Sequence, residues 1–177
     1  MRMIIGGSKK AVIKNIKKNI KNEEYNKKAE VNDPNLDEEL LVKLVNNFYV
    51  NKNKKISYLF KNKTASVITA FFGHKLYKNI NIHNIELLKK EDLSKGAIIT
   101  CNHFNPLDSY CVRKIAKKLH KRVYILVQAT NLAMPKFLGF LMNNMDTIPL
   151  LASPHYIIDT LKPTMQEILN KGDFILI

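Results

Sequence analysis

The sequence predicts an α/β protein: a largely parallel sheet flanked by helices, with an α-helical N-terminal extension. Two observations predict this architecture. From about residue 95 onward, short apolar runs alternate with helix-like segments, which is typical of a parallel sheet buried on both faces. Residues 1–63 instead show helical spacing of apolar residues and carry 15 basic and 7 acidic residues. We therefore divide the chain into a basic, mainly helical region at 1–90 and an α/β domain at 91–177.

Length and composition restrict the class of protein. At 177 residues and 46% hydrophobic, the chain is long enough to bury a core and is not a disordered tail. No apolar run reaches the roughly 18 residues of a transmembrane helix, and the N-terminus lacks the apolar stretch of a secretory signal. We expect a cytoplasmic protein in which Cys101 and Cys111 are reduced thiols.

The formal charge of +14 predicts attraction to a polyanion. The basic residues are 26 Lys and only three Arg, whereas proteins that bind specific nucleic-acid sequences rely on Arg for bidentate contacts. The predicted partner of this charge is therefore an anionic membrane surface, and no specific nucleic acid is expected.

Three helices are predicted in the N-terminal region. The first begins at about Lys9 with Ser8 as a candidate N-cap, the second spans 36–49, and the third spans about 58–77 with an interruption or cap near Gly73. The first has the composition of a basic membrane-surface helix with a thin apolar face. In the third helix, residues 67–72 are more apolar and suit either membrane contact or a protein core.

The α/β domain is predicted from four apolar runs, which lie at 97–101, 123–127, 146–150 and 173–177. Helix-like segments separate them, at 106–119, 134–144 and 154–171. The last run has the pattern of a central strand, and no helix follows it to cover the next face. We expect that a C-terminal part of the domain is missing from this chain.

One segment, from Thr100 to Ser109, carries candidate chemistry because it holds His103 and Asp108 directly after an apolar strand. Asn105 is a candidate N-cap and Pro106 a candidate first helical residue, which places Asp108 in the first turn. Asp108 can then fold back towards His103 at the carboxyl edge of the sheet, where α/β enzymes place their sites. An ionised Asp108 would fix the imidazole tautomer and leave the other nitrogen as a general base.

The same residues also fit a purely structural role. Asp108 can bond back to the N-cap amide in a capping box, and His103 is then a satisfied polar residue at a strand end. Sequence spacing leaves both interpretations open. Neighbouring Cys101 is predicted to be a buried, inert strand residue and not a nucleophile. The other histidines show no metal-ligand spacing with each other or with the cysteines, so no structural metal is expected.

At this segment the chain resembles the glycerolipid acyltransferases, that is, the 1-acylglycerol-3-phosphate acyltransferases and their relatives. Asn102-His103, four residues and Asp108 resemble the family's first block. The resemblance continues through about residues 90–177 in order and spacing. The later segments that carry it are 124–128, 134–139, 146–150 and 172–177. Residues 91–177 are thereby identified as the N-terminal half of an acyltransferase domain.

The resemblance implies transfer of a fatty acyl group from acyl-CoA or acyl carrier protein to the hydroxyl of lysophosphatidic acid or a related lysophospholipid. It implies His103 as general base, oriented by Asp108, with no cofactor and no metal. By position it implies substrate-binding roles for the neighbours of these two residues, which are Asn102, Phe104, Asn105 and Pro106. It also implies peripheral association with the inner face of the cell membrane.

Two departures qualify this expectation. The family carries an Arg after the third strand, whereas this chain has Leu150-Leu-Ala-Ser153. The family's Pro-Glu-Gly block would lie beyond Ile177. We therefore expect the chain as given to be weakly active or inactive. The alternatives are an inactive acyltransferase fragment, or a non-catalytic basic module that binds anionic membrane or, less readily, nucleic acid.

Overall fold

The computed structural model describes residues 9–27, 29, 36–102 and 108–177. The N-terminal elements are helical: α1 (Lys9–Lys21), α2 (Glu38–Asn53), α3 (Lys55–Lys78) and the short α4 (Ile85–Leu88). Strands and helices then alternate: β1 (Ala97–Ile99), α5 (Asp108–Lys118), β2 (Val123–Gln128), a 3-10 turn (Ala129–Ala133), α6 (Lys136–Asn144), β3 (Thr147–Leu150), α7 (Pro154–Tyr156), a π-helical turn (Ile157–Leu161), α8 (Lys162–Asn170) and β4 (Phe174–Leu176). This order confirms the predicted α/β fold with a helical N-terminal region.

In the described part of the chain, the sheet has four strands in the order β1-β4-β2-β3, and every neighbouring pair is parallel. The last strand in sequence lies between β1 and β2, so that Ile175 pairs with both Ile98 and Tyr124. Because all the strands run the same way, their carboxyl ends lie at one edge of the sheet. The loops that follow the strands therefore start at a common edge.

Helices cover both faces of this sheet. On one face α5 packs Val112 and Ala116 against residues of β2 and β4. On the same face α6 approaches β3, where the Thr147 hydroxyl donates to the carbonyl oxygen of Met142 at 2.7 Å. On the other face the π-helical turn and α8 pack Leu161 and Ile168 against the remaining side chains of the central strands. All three residues of β4 are buried, which explains their uninterrupted apolar pattern.

The three predicted N-terminal helices form, with differences at their ends. α1 begins at the predicted Lys9, while its candidate cap Ser8 lies outside the described residues. α2 runs over Glu38–Asn53 because the side chain of Asp37 accepts a hydrogen bond from the Leu40 amide at 2.7 Å and caps the helix there. Its buried residues Val45 and Phe48 pack on the 3-10 turn and the segment after β3.

The predicted interruption of α3 near Gly73 is wrong. α3 continues from Lys55 to Lys78, and Gly73 is buried within it. A helical Gly costs about 1 kcal/mol relative to Ala, and the apolar contacts that α3 makes outweigh that cost. These contacts include Ala65 against Leu141 and Met145 of the α6 region. α3 thus forms an outer layer over α5 and α6.

The helical segment predicted over 154–171 is divided by the π-helical turn. Pro163 follows this turn by two residues. Its nitrogen has no hydrogen to donate to the carbonyl of Asp159, and its ring clashes with that carbonyl in a regular α-helix. The wider π turn accommodates the proline without ending the helix.

A buried polar cluster lies at the opposite, amino edge of the sheet. Arg122, which precedes β2, donates from Nε and Nη2 to the carboxylate of Asp146, which precedes β3, at 2.7 and 2.5 Å. Asn62 of α3 donates to the same carboxylate at 3.0 Å and accepts from Arg122 at 3.0 Å. The hydrogen bond to Asp146 raises the pKa of the Arg122 guanidinium above its ordinary value. This cluster fastens α3 to the starts of two strands.

The basic residues at and after the end of α5 differ in their surroundings. Lys117 and Lys118 are exposed in the last turn of α5, but the Arg122 guanidinium is engaged in the polar cluster. Among the described residues, no helix combines the length and apolar character needed to cross a membrane.

The first prediction concerns Asp146, whose side chain is 9% exposed. We expect Asp146→Ala to lower the free energy of unfolding by about 2 kcal/mol, since it leaves the Arg122 charge without its carboxylate and removes one of the two hydrogen bonds that the Asn62 amide donates. The loss stays below the 3–5 kcal/mol of fully buried pairs because Arg122 remains 45% exposed and half-solvated. Urea unfolding measures the change. The matched control is Asp159→Ala, which removes an exposed carboxylate and should change stability by less than about 0.5 kcal/mol; equal losses in both variants would contradict the assignment.

The second prediction concerns Tyr58, whose hydroxyl donates to the Met145 carbonyl oxygen at 3.4 Å beside this cluster. Burial, followed by the nearby Asp146 charge, raises the pKa of Tyr58 from 10.0 to about 12. Because the pKa is raised in the folded protein, the stabilisation that comes from keeping Tyr58 protonated is complete below pH 10 and is lost as the pH rises towards 12. Between pH 8 and pH 11 we expect the free energy of unfolding to fall by about 1 kcal/mol more in wild type than in Tyr58→Phe. Urea unfolding at both pH values tests this, and a Tyr58→Phe effect that is the same at both would contradict it.

Candidate active site

The candidate active site lies at the carboxyl edge of the sheet, where the predicted motif leaves β1. Asn102 follows the end of β1 by three residues and is exposed. Asp108 is the first residue of α5 and is half-buried. The segment between them therefore joins the carboxyl end of a strand to the amino end of a helix, which is the predicted arrangement for this site.

Four predicted site residues, His103, Phe104, Asn105 and Pro106, lie outside the described residues. The pairing of His103 with Asp108 therefore stays a prediction, as does the start of the helix at Pro106. The alternative capping box stays open for the same reason.

The prediction that Cys101 is buried in a strand is wrong. β1 ends at Ile99, and both Cys101 and the helical Cys111 are exposed free thiols. The apolar run in the sequence continues two residues beyond the strand that forms, because the chain must leave the sheet to reach α5. Cys101 is thus part of the exposed segment that begins the motif.

The two segments that connect β2 to β3, the 3-10 turn and α6, are joined by hydrogen bonds. The side-chain amide of Asn143 in α6 donates to the carbonyl oxygen of Leu132 in the 3-10 turn at 2.9 Å and to that of Gly139 at 2.8 Å. Gly139 allows the turn and the helix to approach closely, since a Cβ atom there would lie 1.9 Å from the carbonyl oxygen of Met134. The turn after β2 is therefore held rigidly against α6.

α2 covers this half of the edge. Val45 and Phe48 form a cluster with Ala129, Leu132 and Leu151, which follow β2 and β3. Among the described residues, this cluster contains none that follow β1 or β4. The contacts of α2 thus enclose the β2–β3 half of the carboxyl edge, away from the segment that carries the motif.

A pair of tyrosines adds hydrogen bonds to the contacts that α2 makes at this edge. The Tyr156 hydroxyl of α7 donates to the carbonyl oxygen of Pro149 in β3, and the Tyr49 hydroxyl of α2 lies 3.2 Å from it. Burial and the hydrogen bond with Tyr49 raise the pKa of Tyr156 above its ordinary value, so its hydroxyl stays protonated. This pair has no signal in the sequence, since 107 residues separate its members and no periodicity connects them.

Within the ranges that the structure describes, no group of three or more His, Cys, Asp or Glu side chains is arranged to hold a metal ion.

The third prediction concerns this pair. We expect Tyr156→Phe to lower the free energy of unfolding by about 1–2 kcal/mol, because it leaves the Pro149 carbonyl and the Tyr49 hydroxyl without a partner in a half-buried site. Thermal or urea unfolding measures the loss. Tyr25→Phe is the matched control. Because Tyr25 is exposed, this substitution should change the free energy of unfolding by less than about 0.5 kcal/mol. A Tyr156→Phe protein as stable as the control would show that the pair contributes little.

Comparison with known proteins adds a family to this geometry. The Acyltransferase family model matches residues 79–177, which begin directly after α3 and include the motif and every described strand. Neither a curated protein nor a solved structure gives a significant match to the chain. The family match covers more than half of the 177 residues. Together with a parallel sheet whose first strand leads into Asn102 and whose next helix begins at Asp108, it shows that this chain belongs to the glycerolipid acyltransferase family, the enzymes that transfer acyl groups in the manner of glycerol-3-phosphate and lysophosphatidic acid acyltransferases.

Proposed function

We propose that the protein transfers a fatty acyl group from the thioester of acyl-CoA or acyl carrier protein to the hydroxyl of lysophosphatidic acid or a related lysophospholipid. The observation that carries this proposal is the position of Asn102-His103 and Asp108. They lie within the family match, between the end of β1 and the start of α5. The described residues on either side of His103 support the proposal, since Asn102 follows β1 and Asp108 begins α5 at the carboxyl edge of a parallel sheet, where α/β enzymes bind their substrates.

In the proposed reaction, the acceptor hydroxyl oxygen attacks the carbonyl carbon of the thioester while one imidazole nitrogen of His103 takes its proton. A carbon–oxygen bond forms, and the carbon–sulfur bond then breaks. The departing sulfur receives the proton from the imidazolium, which returns His103 to its neutral state. The products are the acylated acceptor and a free thiol, and no acyl-enzyme forms.

Asp108 has a supporting role in this proposal. Asp108 lies in the first turn of α5, where the partial positive charge at the amino end of the helix faces its side chain. An ionised Asp108 that accepts from one imidazole nitrogen fixes the tautomer of His103 and stabilises the imidazolium. In this proposal His103 transfers the proton, and Asp108 orients the imidazole.

The identity of the acyl acceptor is the part of the proposal that the described residues constrain least. The segment after β3 is Leu150-Leu-Ala-Ser153, which holds no cation to contact a phosphate. Leu151 in this segment is instead buried against α2. Phosphate recognition must therefore come from other residues, and an assay of several acceptors decides between lysophosphatidic acid, glycerol 3-phosphate and neutral lysophospholipids.

The fourth prediction is that His103→Ala lowers the rate of acyl transfer to lysophosphatidic acid by about 10²-fold or more, which is typical of the loss of a general base. Asp108→Asn should also lower the rate, because the amide cannot stabilise the imidazolium. The measurement is a single-turnover assay with labelled acyl-CoA and, separately, labelled acyl carrier protein, which detects slow transfer.

His155→Ala is the matched control, since His155 is exposed on α7 and lies outside the motif. It should leave the rate within about twofold of wild type. If His103→Ala and His155→Ala transferred acyl groups at the same rate as wild type, His103 would have no part in the mechanism. Unfolding curves of all the variants exclude loss of structure as the cause of a lower rate.

A further inference from the structure

A groove between α3 and α5 is lined by basic side chains where two packed helices usually present apolar ones. Arg113, Ala116 and Lys117 lie three and four residues apart on α5, so they form one stripe along the helix. His120 continues this stripe just after α5 ends. The stripe borders a cavity of about 440 Å³, which we call the basic groove.

The α3 side of the basic groove consists of small residues, namely Ser66, Thr69 and Ala70. Because these side chains are short, space remains between the two helices. The Thr69 hydroxyl donates to the carbonyl oxygen of Ala65 at 2.8 Å within α3, so the hydroxyl that remains for a ligand is that of Ser66. Sites for small molecules have volumes of roughly 300–1,000 Å³, and the basic groove falls within this range.

Positive charge dominates the lining. Four of the charged side chains are cationic and one is a carboxylate: Arg113, Lys117, Lys121, Arg122 and Asp146. The carboxylate is already paired with Arg122. Among the described residues, no acidic side chain forms an ion pair with Lys117 or Lys121. A cleft lined by charge of one sign concentrates ions of the opposite sign, so the basic groove attracts an anion.

The few arginines of the chain are concentrated here. Of the three Arg among 29 basic residues, Arg113 and Arg122 both line the basic groove. A guanidinium presents a planar fork of donors that matches the oxygens of a phosphate better than an ammonium does. Asp146 and Asn62 engage Nε and Nη2 of Arg122, and among the described residues its Nη1 has no hydrogen-bond acceptor. The lining therefore favours an anion with several acceptor oxygens.

The carboxyl end of α5 does not oppose this anion. Free carbonyl oxygens at a helix end carry partial negative charge and repel anions. Here the Lys121 amide donates to the carbonyl oxygen of Ala116 at 2.9 Å, and the His120 amide donates to that of Lys117 at 3.3 Å. His120 has a φ of 55°, the left-handed conformation that closes a helix in this way. The chain itself thus satisfies these carbonyl oxygens.

We propose that the basic groove binds a phosphate-bearing small molecule, with Lys117, His120 and Arg122 donating to the phosphate oxygens. The Ser66 hydroxyl completes the site from α3. Charge-assisted hydrogen bonds of this kind are shorter and stronger than those between neutral groups. The phosphate group is common to inorganic phosphate and to nucleotides.

The remainder of a nucleotide has a place in the same groove. Ala70, Ala116 and Val123 give part of the lining an apolar character. An apolar wall beside a few convergent polar groups is typical of sites that bind small organic molecules.

The basic groove is separate from the candidate active site. Two of its residues, Arg122 and Asp146, precede β2 and β3 and so lie at the amino edge of the sheet. Lys117 follows Asp108 by nine residues, which is about 14 Å along α5. The proposal therefore concerns a second site and holds whether or not the proposed acyl transfer is correct. Because the ligand contacts α3 and α5 together, its binding stabilises the helix that begins at Asp108.

The fifth prediction tests the proposal by equilibrium dialysis of the whole chain against labelled inorganic phosphate and, separately, labelled adenosine 5′-monophosphate. Sodium chloride holds the ionic strength constant and screens general attraction to the +14 surface. Wild type should bind at least one of these probes saturably, at a single site per chain. Tighter binding of the nucleotide would show that the apolar wall also contacts the ligand. Equal or tighter binding of inorganic phosphate would show that the phosphate alone suffices, and both results support the site.

Two variants of the groove should bind more weakly. Lys117→Gln with His120→Asn removes one charge and two donors, so the dissociation constant should rise about tenfold or more. Asn tolerates the left-handed conformation at position 120, so the helix end is kept. Ser66→Leu retains every charge but fills the groove, and it should raise the dissociation constant by about tenfold as well.

The matched control is Lys118→Gln with His155→Asn. It makes the same chemical changes at exposed residues that do not line the basic groove, and its binding should stay within about twofold of wild type. All the substituted side chains are exposed, so every variant should keep the circular dichroism and the unfolding midpoint of wild type.

Three outcomes would overturn the proposal. If neither probe binds wild type saturably, the groove is not a phosphate site. If the control loses as much binding as the Lys117 and His120 variant, the attraction reflects only the general charge of the chain. If either groove variant binds as wild type does, the phosphate lies elsewhere on the protein.

Discussion

The insertion of β4 between β1 and β2 is the constraint on which the rest of the described structure depends. Its residues pair with β1 on one side and with β2 on the other, so without it β1 has no neighbour in the described sheet. Ile175 at its centre is completely buried, and Phe174 and Leu176 join the cluster beneath α5. By aligning β1 in parallel with the other strands, β4 places the start of the motif at the same edge as the segments after β2 and β3.

The two edges of the sheet have different roles. At the amino edge, Arg122, Asp146 and Asn62 form a partly buried polar cluster that joins α3 to the starts of two strands. At the carboxyl edge, α2 covers the segments after β2 and β3 with apolar contacts and the tyrosine pair.

The sequence by itself determined the α/β class, the order of strands and helices and the family. The reason is that short buried strands, and a local motif such as Asn102 to Asp108, depend on residues that are close together in the sequence. Only the tertiary structure decided features that join distant segments. The contact between Arg122 and Asp146, which lies 24 residues further along the chain, is one of these features. Gly73 was expected to interrupt a helix that packing keeps continuous. The outward direction of Phe60 and Phe71 was equally hidden, since periodicity alone does not separate a core face from an exposed apolar face when both sides of a helix are apolar.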